Sequence, residues 1–163
     1  MKLFWLLISL LIFGADMLVK RLVVEYIQLS EAVDVIPGVF GLTYVQNTGM
    51  SFSLFNNSPS MLTVITVLAL TVSVVILIVL IRNKFNSKLA DAALALILAG
   101  ALGNAVDRLV NGHVVDMFEF LFVRFAIFNV ADIALTFGTA MLAVWMIKSG
   151  KQPEHEESVT NEE

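Results

Sequence analysis

The sequence predicts an all-α integral membrane protein: a four-transmembrane-helix bundle with a small extracytoplasmic β element built from two outer loops. Three observations carry that prediction. The 163-residue chain is 58% hydrophobic and 15% charged, with a mean hydropathy of +0.87. Ordinary globular domains are about 45–50% apolar and about 25% charged. The apolar residues gather into four segments near the ~20 residues that cross ~30 Å of hydrocarbon. Lysine and arginine concentrate in the connections that would share one side of a membrane. The spans use about half the chain, which leaves no room for a separate soluble domain. The predicted organisation is one membrane domain over residues 1–150 and a polar acidic cytoplasmic tail over 151–163.

The spans are expected at about 3–21, 61–81, 89–108 and 128–147. The first is uncharged over 3–19 except for Asp16. It lacks a small-x-small cleavage site at a suitable place, so it is read as a retained helix and not as a signal peptide. The second is uncharged throughout. The third is richer in small residues over 92–106, and the fourth is uncharged over 125–147 except for Asp132. Arg82, Lys84 and Lys88 lie between the second and third spans, Lys2 at the start, and Lys148 and Lys151 after the fourth. These six basic residues put both termini on the cytoplasmic side and the two longer loops outside. In those loops, 39–45 and 50–55 are β-rich around the Asn47-Thr48-Gly49 turn signal, and 113–128 alternates partly. A small sheet is expected there, presenting Phe40, Tyr44, Phe52, Phe55, Phe118, Phe120 and Phe122 to lipid or to one another.

Composition excludes several functions. The chain has no cysteine, which removes disulfides, thiolate metal sites, cysteine catalysis and thioester lipidation. His113 and His155 are the only histidines, too few for a histidine-rich metal centre. Ten Lys and Arg against fourteen Asp and Glu leave no basic surplus for nucleic acid. Five of those acids (Glu154, Glu156, Glu157, Glu162 and Glu163) fall in the last ten residues, so residues 1–153 carry a net charge of +1, not the -4 of the whole chain. The tail is read as a solvated end.

Charged groups at membrane depth cost roughly 2.5–3.5 kcal/mol each on insertion scales, so they mark an interior or a task. Asp16 and Lys20 share one face of the first helix, in the favourable order for an i,i+4 pair. Gly100, Gly103, Asn104, Asp107 and Arg108 form one stripe on the third helix, where small residues admit a close neighbour. Asn129, Asp132 and Thr136 form a sparser stripe on the fourth, and Asp116 sits in apolar company between valines and Met117-Phe118. All of these polar groups map to the outer end of the bundle. No zinc signature, nucleophile elbow or phosphate loop is present.

Carboxylate chemistry remains. Two close aspartates share a proton; the ionised one serves as general base on water, while the protonated one polarises the carbonyl and later protonates the leaving amine. That is peptide hydrolysis without metal, cofactor or covalent intermediate. A Ser/Lys protease using Lys20 with Ser51 or Ser53 is an alternative, though a carboxylate one turn away favours the wrong form of the lysine for a base. A proton or ion pathway, or a non-enzymatic small membrane protein, are others.

Five motifs in order resemble the bacterial lipoprotein signal peptidases (signal peptidase II). They are Asp16-x-x-x-Lys20; Asn47-Thr48-Gly49 followed by Ser51-Phe52-Ser53; Gly103-Asn104-Ala105-Val106-Asp107-Arg108 with Gly100 a turn earlier; Val114-Val115-Asp116; and Phe128-Asn129-Val130-Ala131-Asp132. The resemblance covers about residues 10–148. Met50 and Met117 depart from it, where the family more often has Ala and Phe. It implies an aspartic endopeptidase of the cell membrane, working as a monomer without cofactor. Its substrates would be diacylglyceryl prolipoproteins met among membrane lipids and cut before the lipidated lipobox cysteine. It implies Asp116 and Asp132 as the catalytic pair. Asn104, Arg108 and Asn129 are assigned to substrate positioning and orientation of the pair, Asn47 and Gly49 to the substrate backbone, and Asp16 and Lys20 to support. For Asp107, pairing with Arg108 or a loop group is the expectation.

Overall fold

A computed structural model describes residues 2–49, 59–82 and 84–150. The expected strand over 50–55, with Phe52 and Phe55, and the tail over 151–163 lie outside the described residues. Four helices are long and apolar enough to cross a membrane: α1 (Lys2–Tyr26), α2 (Pro59–Arg82), α3 (Lys88–Asn111) and α4 (Val130–Ser149). α3 is the central helix and packs against each of the others. Most of its apolar stretch is buried, whereas α1, α2 and α4 leave wide apolar faces open, the pattern of helices solvated by lipid. Ile76 and Leu80 of α2 meet Leu94 and Leu98 of α3 in one apolar cluster.

Small residues bring α3 and α4 together. A Cβ on Gly138 would lie 2.8 Å from the Ala93 carbonyl oxygen and 2.8 Å from Ile97 Cγ1. A Cβ on Gly100 would run into the Ala131 carbonyl oxygen. Without a hydrophobic drive between helices in lipid, such close backbone approach is how they associate. Caps fix the ends of α3: the Ser87 side chain accepts from Ala90 N, and Gly112, in the left-handed region at φ 72°, donates to the Arg108 carbonyl.

At the end of the bundle opposite the α2–α3 connection lies a three-stranded antiparallel sheet of order β1-β2-β3. The strands are β1 (Ala32–Ile36), β2 (Phe40–Asn47) and β3 (Val114–Phe120). β1 falls outside the stretches expected as strand. Its signal was the alternating Val33-Asp34-Val35 run closed by Pro37-Gly38, and Gly38 takes φ 71° in the tight reversal to β2. Phe40, Phe118, Phe120, Phe122, Phe125 and Phe128 form a continuous ring cluster, with centroids 5.3–6.3 Å apart. Tyr44 does not join them. The β2–β3 register slips by one residue between Leu42 and Val45, and Tyr44 turns inward onto Val23, Val115 and Met117. A bulge of this kind breaks the alternation that sequence periodicity assumes.

Candidate active site

The sheet and the ends of α1, α3 and α4 enclose a polar cluster beside a cavity of about 450 Å³. Asp116 arrives on β3 and Asp132 in the first turn of α4, and both line that cavity. Asn47, Asn104 and Arg108 line it too, and Phe125, Ile127, Ile133 and Phe137 make its apolar wall.

Asn129 ties the two carboxylates together. It is fully buried. Its amide donates to Asp116 Oδ1 at 2.6 Å and to Asn104 Oδ1 at 3.1 Å. Its side-chain oxygen accepts from Asp132 N at 2.9 Å, and its own N–H donates to Asp132 Oδ2 at 3.3 Å. The last two bonds make a capping box, so the loop-to-helix transition that starts α4 also orients Asp132. Asn104 donates to Asp132 Oδ1 at 2.8 Å, and Asn47 donates to Asp116 Oδ2 at 2.9 Å. Asn47 also accepts from Gly49 N at 2.9 Å, which forms the turn its sequence announced. Arg108 donates to the carbonyl oxygens of Asn104 at 3.3 Å and Gly49 at 3.2 Å, while its buried Nε has no hydrogen-bond partner among the described residues.

Burial pushes the Asp116 carboxyl up to about 6. The hydrogen bonds from Asn47 and Asn129 and the charge of Lys20 oppose that rise, and the charge of Asp132 reinforces it. A carboxyl with a proton to share near neutral pH thus faces the same cavity as a second carboxylate.

Lys20 and Asp16 lie behind the cavity wall, both buried. Lys20 Nζ sits 2.8 Å from Asp16 Oδ2, 2.8 Å from Asp107 Oδ2 and 3.1 Å from Asn104 Oδ1. The Asp16 contact is an ion pair without hydrogen-bond alignment. Gly103 makes room for it: a Cβ there would stand 2.6 Å from Asp16 Oδ2. Asp107 turns to Lys20, to Asn111 at 3.5 Å and to the backbone N–H of Val115 at 3.2 Å. Of its two expected partners, the loop group is the one it bonds. The residues singled out in the sequence therefore meet in one connected network.

The pattern of the family described as Signal peptidase (SPase) II matches residues 8–148. A lipoprotein signal peptidase of Enterococcus faecalis is 40% identical over 157 residues, covering 96% of each chain. One from Haemophilus influenzae is 40% identical over 158 residues, covering 95% of this chain and 92% of its own. Among solved structures, a bacterial membrane enzyme at 24% identity superposes with a TM-score of 0.84, covering 94% of this chain and 93% of that one. A second, at 25% identity, gives 0.76 over 88% and 92%. Both have the same fold. Matched across nearly its whole membrane body, the chain belongs to the signal peptidase II family of bacterial membrane proteases.

Proposed function

We propose that this protein is an intramembrane aspartic endopeptidase. It removes signal peptides from diacylglyceryl-modified prolipoproteins by cutting before the lipidated cysteine of the lipobox. The observation that carries this reading is that Asp116 and Asp132 line one cavity and are cross-tied through Asn129 and Asn104. The likeness to lipoprotein signal peptidases supplies the substrate class.

The chemistry follows from the shared proton. The ionised aspartate takes a proton from a water molecule as its oxygen attacks the scissile carbonyl carbon. The protonated aspartate gives its proton to the carbonyl oxygen, and a neutral gem-diol results. The protons then return: a diol hydroxyl reprotonates one aspartate while the other protonates the amide nitrogen. The C–N bond breaks, leaving a carboxyl on the signal peptide and an amine on the lipidated cysteine. The two carboxylates titrate as a pair, so acid and base belong to the pair and not to either residue. Arg108 and Asn47 face the cavity where a peptide backbone would lie, and the apolar wall suits a substrate arriving from lipid.

Both termini and the Arg82–Lys88 connection lie on the cytoplasmic side in this reading, which sets the site at the extracytoplasmic face. A lipid-anchored cysteine is met at that surface. The test uses purified protein in detergent with a diacylglyceryl lipobox peptide. Cleavage should proceed without added metal and persist with chelator. Asp116→Asn and Asp132→Asn should each abolish it while the protein keeps its melting transition. Near-normal turnover by either variant overturns the aspartic assignment.

A further inference from the structure

We propose that Lys20 is a positioning residue for the aspartate pair: its ammonium is the hub of a three-armed brace that sets where both carboxylates stand. The proposal rests on the aspartic reading above and adds what holds the pair in place. Three oxygens surround Lys20 Nζ, from Asp16, Asp107 and Asn104. Each of these residues is itself bonded beside one of the aspartates. Asp16 Oδ1 accepts from the N–H of Ala131 at 2.8 Å, one residue before Asp132. Asp107 Oδ2 accepts from the N–H of Val115 at 3.2 Å, one residue before Asp116. Asn104 reaches Asp132 itself at 2.8 Å.

The arms join segments far apart in sequence. One carboxylate fixes the start of α4, the other fixes β3, and the single cation between them fixes their separation. Lys20 does not line the cavity and is not hydrogen-bonded to either aspartate; its charge reaches Asp116 from a distance, and it sets the position of the pair through its partners. Two like-charged groups share a proton only within a narrow range of separation. A group that sets the separation therefore governs the rate more than it governs substrate binding.

A second cavity of about 340 Å³ reaches this brace from outside the catalytic cavity, lined by Met17, Lys20, Arg21, Tyr44, Asp107 and His113 among others. It supplies the means of a test. Lys20→Ala removes three methylenes and an ammonium, the shape of n-propylammonium. In detergent, with the lipobox peptide, Lys20→Ala should lose about 100-fold in kcat, the scale of a displacement near 1 Å, with KM changed by less than about threefold. Added n-propylammonium should restore kcat by about tenfold or more, and n-propanol should not. A kcat equal to that of the unaltered protein, a loss confined to KM, or a folded Lys20→Ala protein that propylammonium leaves unchanged would each overturn the brace.

If Lys20→Ala does not fold, Asp107→Asn replaces it. It keeps an oxygen for Val115 but removes one carboxylate from the ammonium. Its kcat should fall about tenfold at unchanged KM, and an unchanged kcat overturns the proposal. Asp116→Asn and Asp132→Asn run in parallel. If either turns over normally, the aspartic reading fails; if both are silent while Lys20→Ala or Asp107→Asn is unimpaired, only the brace fails.

Discussion

Replacing Gly100 with alanine tests whether the close approach of α3 to α4 positions the chemistry. The new Cβ would run into the Ala131 carbonyl oxygen and stand 2.7 Å from Leu135 Cγ and 3.1 Å from Leu135 N. Two of these three atoms are α4 backbone and have no rotamer to retreat into. Carbon–carbon contact is comfortable from about 3.5 Å, so α4 must withdraw by about 0.8 Å. Overpacking of this order destabilises by about 1–3 kcal/mol, which lowers the melting temperature by about 2–4 °C per kcal/mol in a chain of this size. The withdrawal carries Ala131 away from Asp16 and takes Asp132 with it. Misplacement near 1 Å lowers rates about 100-fold. Cleavage of the diacylglyceryl lipobox peptide should therefore show kcat down about 100-fold with KM little changed. Gly14→Ala is the matched control, because nothing lies within 4 Å of its added Cβ. It should keep full activity and gain up to about 1 kcal/mol from helix propensity. Equal activity in Gly100→Ala and the unaltered protein, or equal losses in the two alanine variants, would refute the reasoning.

Further outcomes follow from the same geometry. The folded protein holds the Asp116 proton up to about pH 6, whereas a free aspartate releases it near 3.8. Folding takes up a proton between those values, so this group's contribution makes stability fall as pH rises through that window, by about 3 kcal/mol in all. Melting curves at pH 4.5 and 7.5 should show that decline, and Asp116→Asn should flatten it. Asn129→Ala removes the α4 cap, worth about 1 kcal/mol, together with the donor to Asp116; melting temperature and cleavage should both fall. Arg108→Gln frees the Gly49 carbonyl and removes a cation from the cavity wall, so KM should rise in steady-state cleavage assays.

The spans could be read from the sequence because lipid imposes a simple rule: a run of apolar residues long enough to cross must satisfy its backbone internally, and a helix does so. The α3 stripe from Gly100 to Arg108 was readable for the same reason, since polar and small residues at helical spacing have to face an interior. The sheet was less legible. β1 is short and its apolar side chains are exposed, so composition alone does not separate it from an irregular loop. Tyr44 went astray because a one-residue slip in pairing reverses which face a side chain takes. Within the site, the sequence placed the polar groups at one depth but not their partners. Asp107 and Arg108 are neighbours in the chain, yet Asp107 turns to Lys20 and Val115 while Arg108 turns to Gly49. Helical spacing supplies a direction for each side chain but not the identity of what waits there.

Asp132 is both a wall of the cavity and the third residue of α4, where it closes the capping box with Asn129. A growth-based genetic screen would therefore score loss of reactivity and fraying of that helix as one phenotype at this position. Alanine cannot tell them apart. Asparagine can, because its amide oxygen still accepts from Asn129 N, which makes it the informative replacement in cells as well as in detergent.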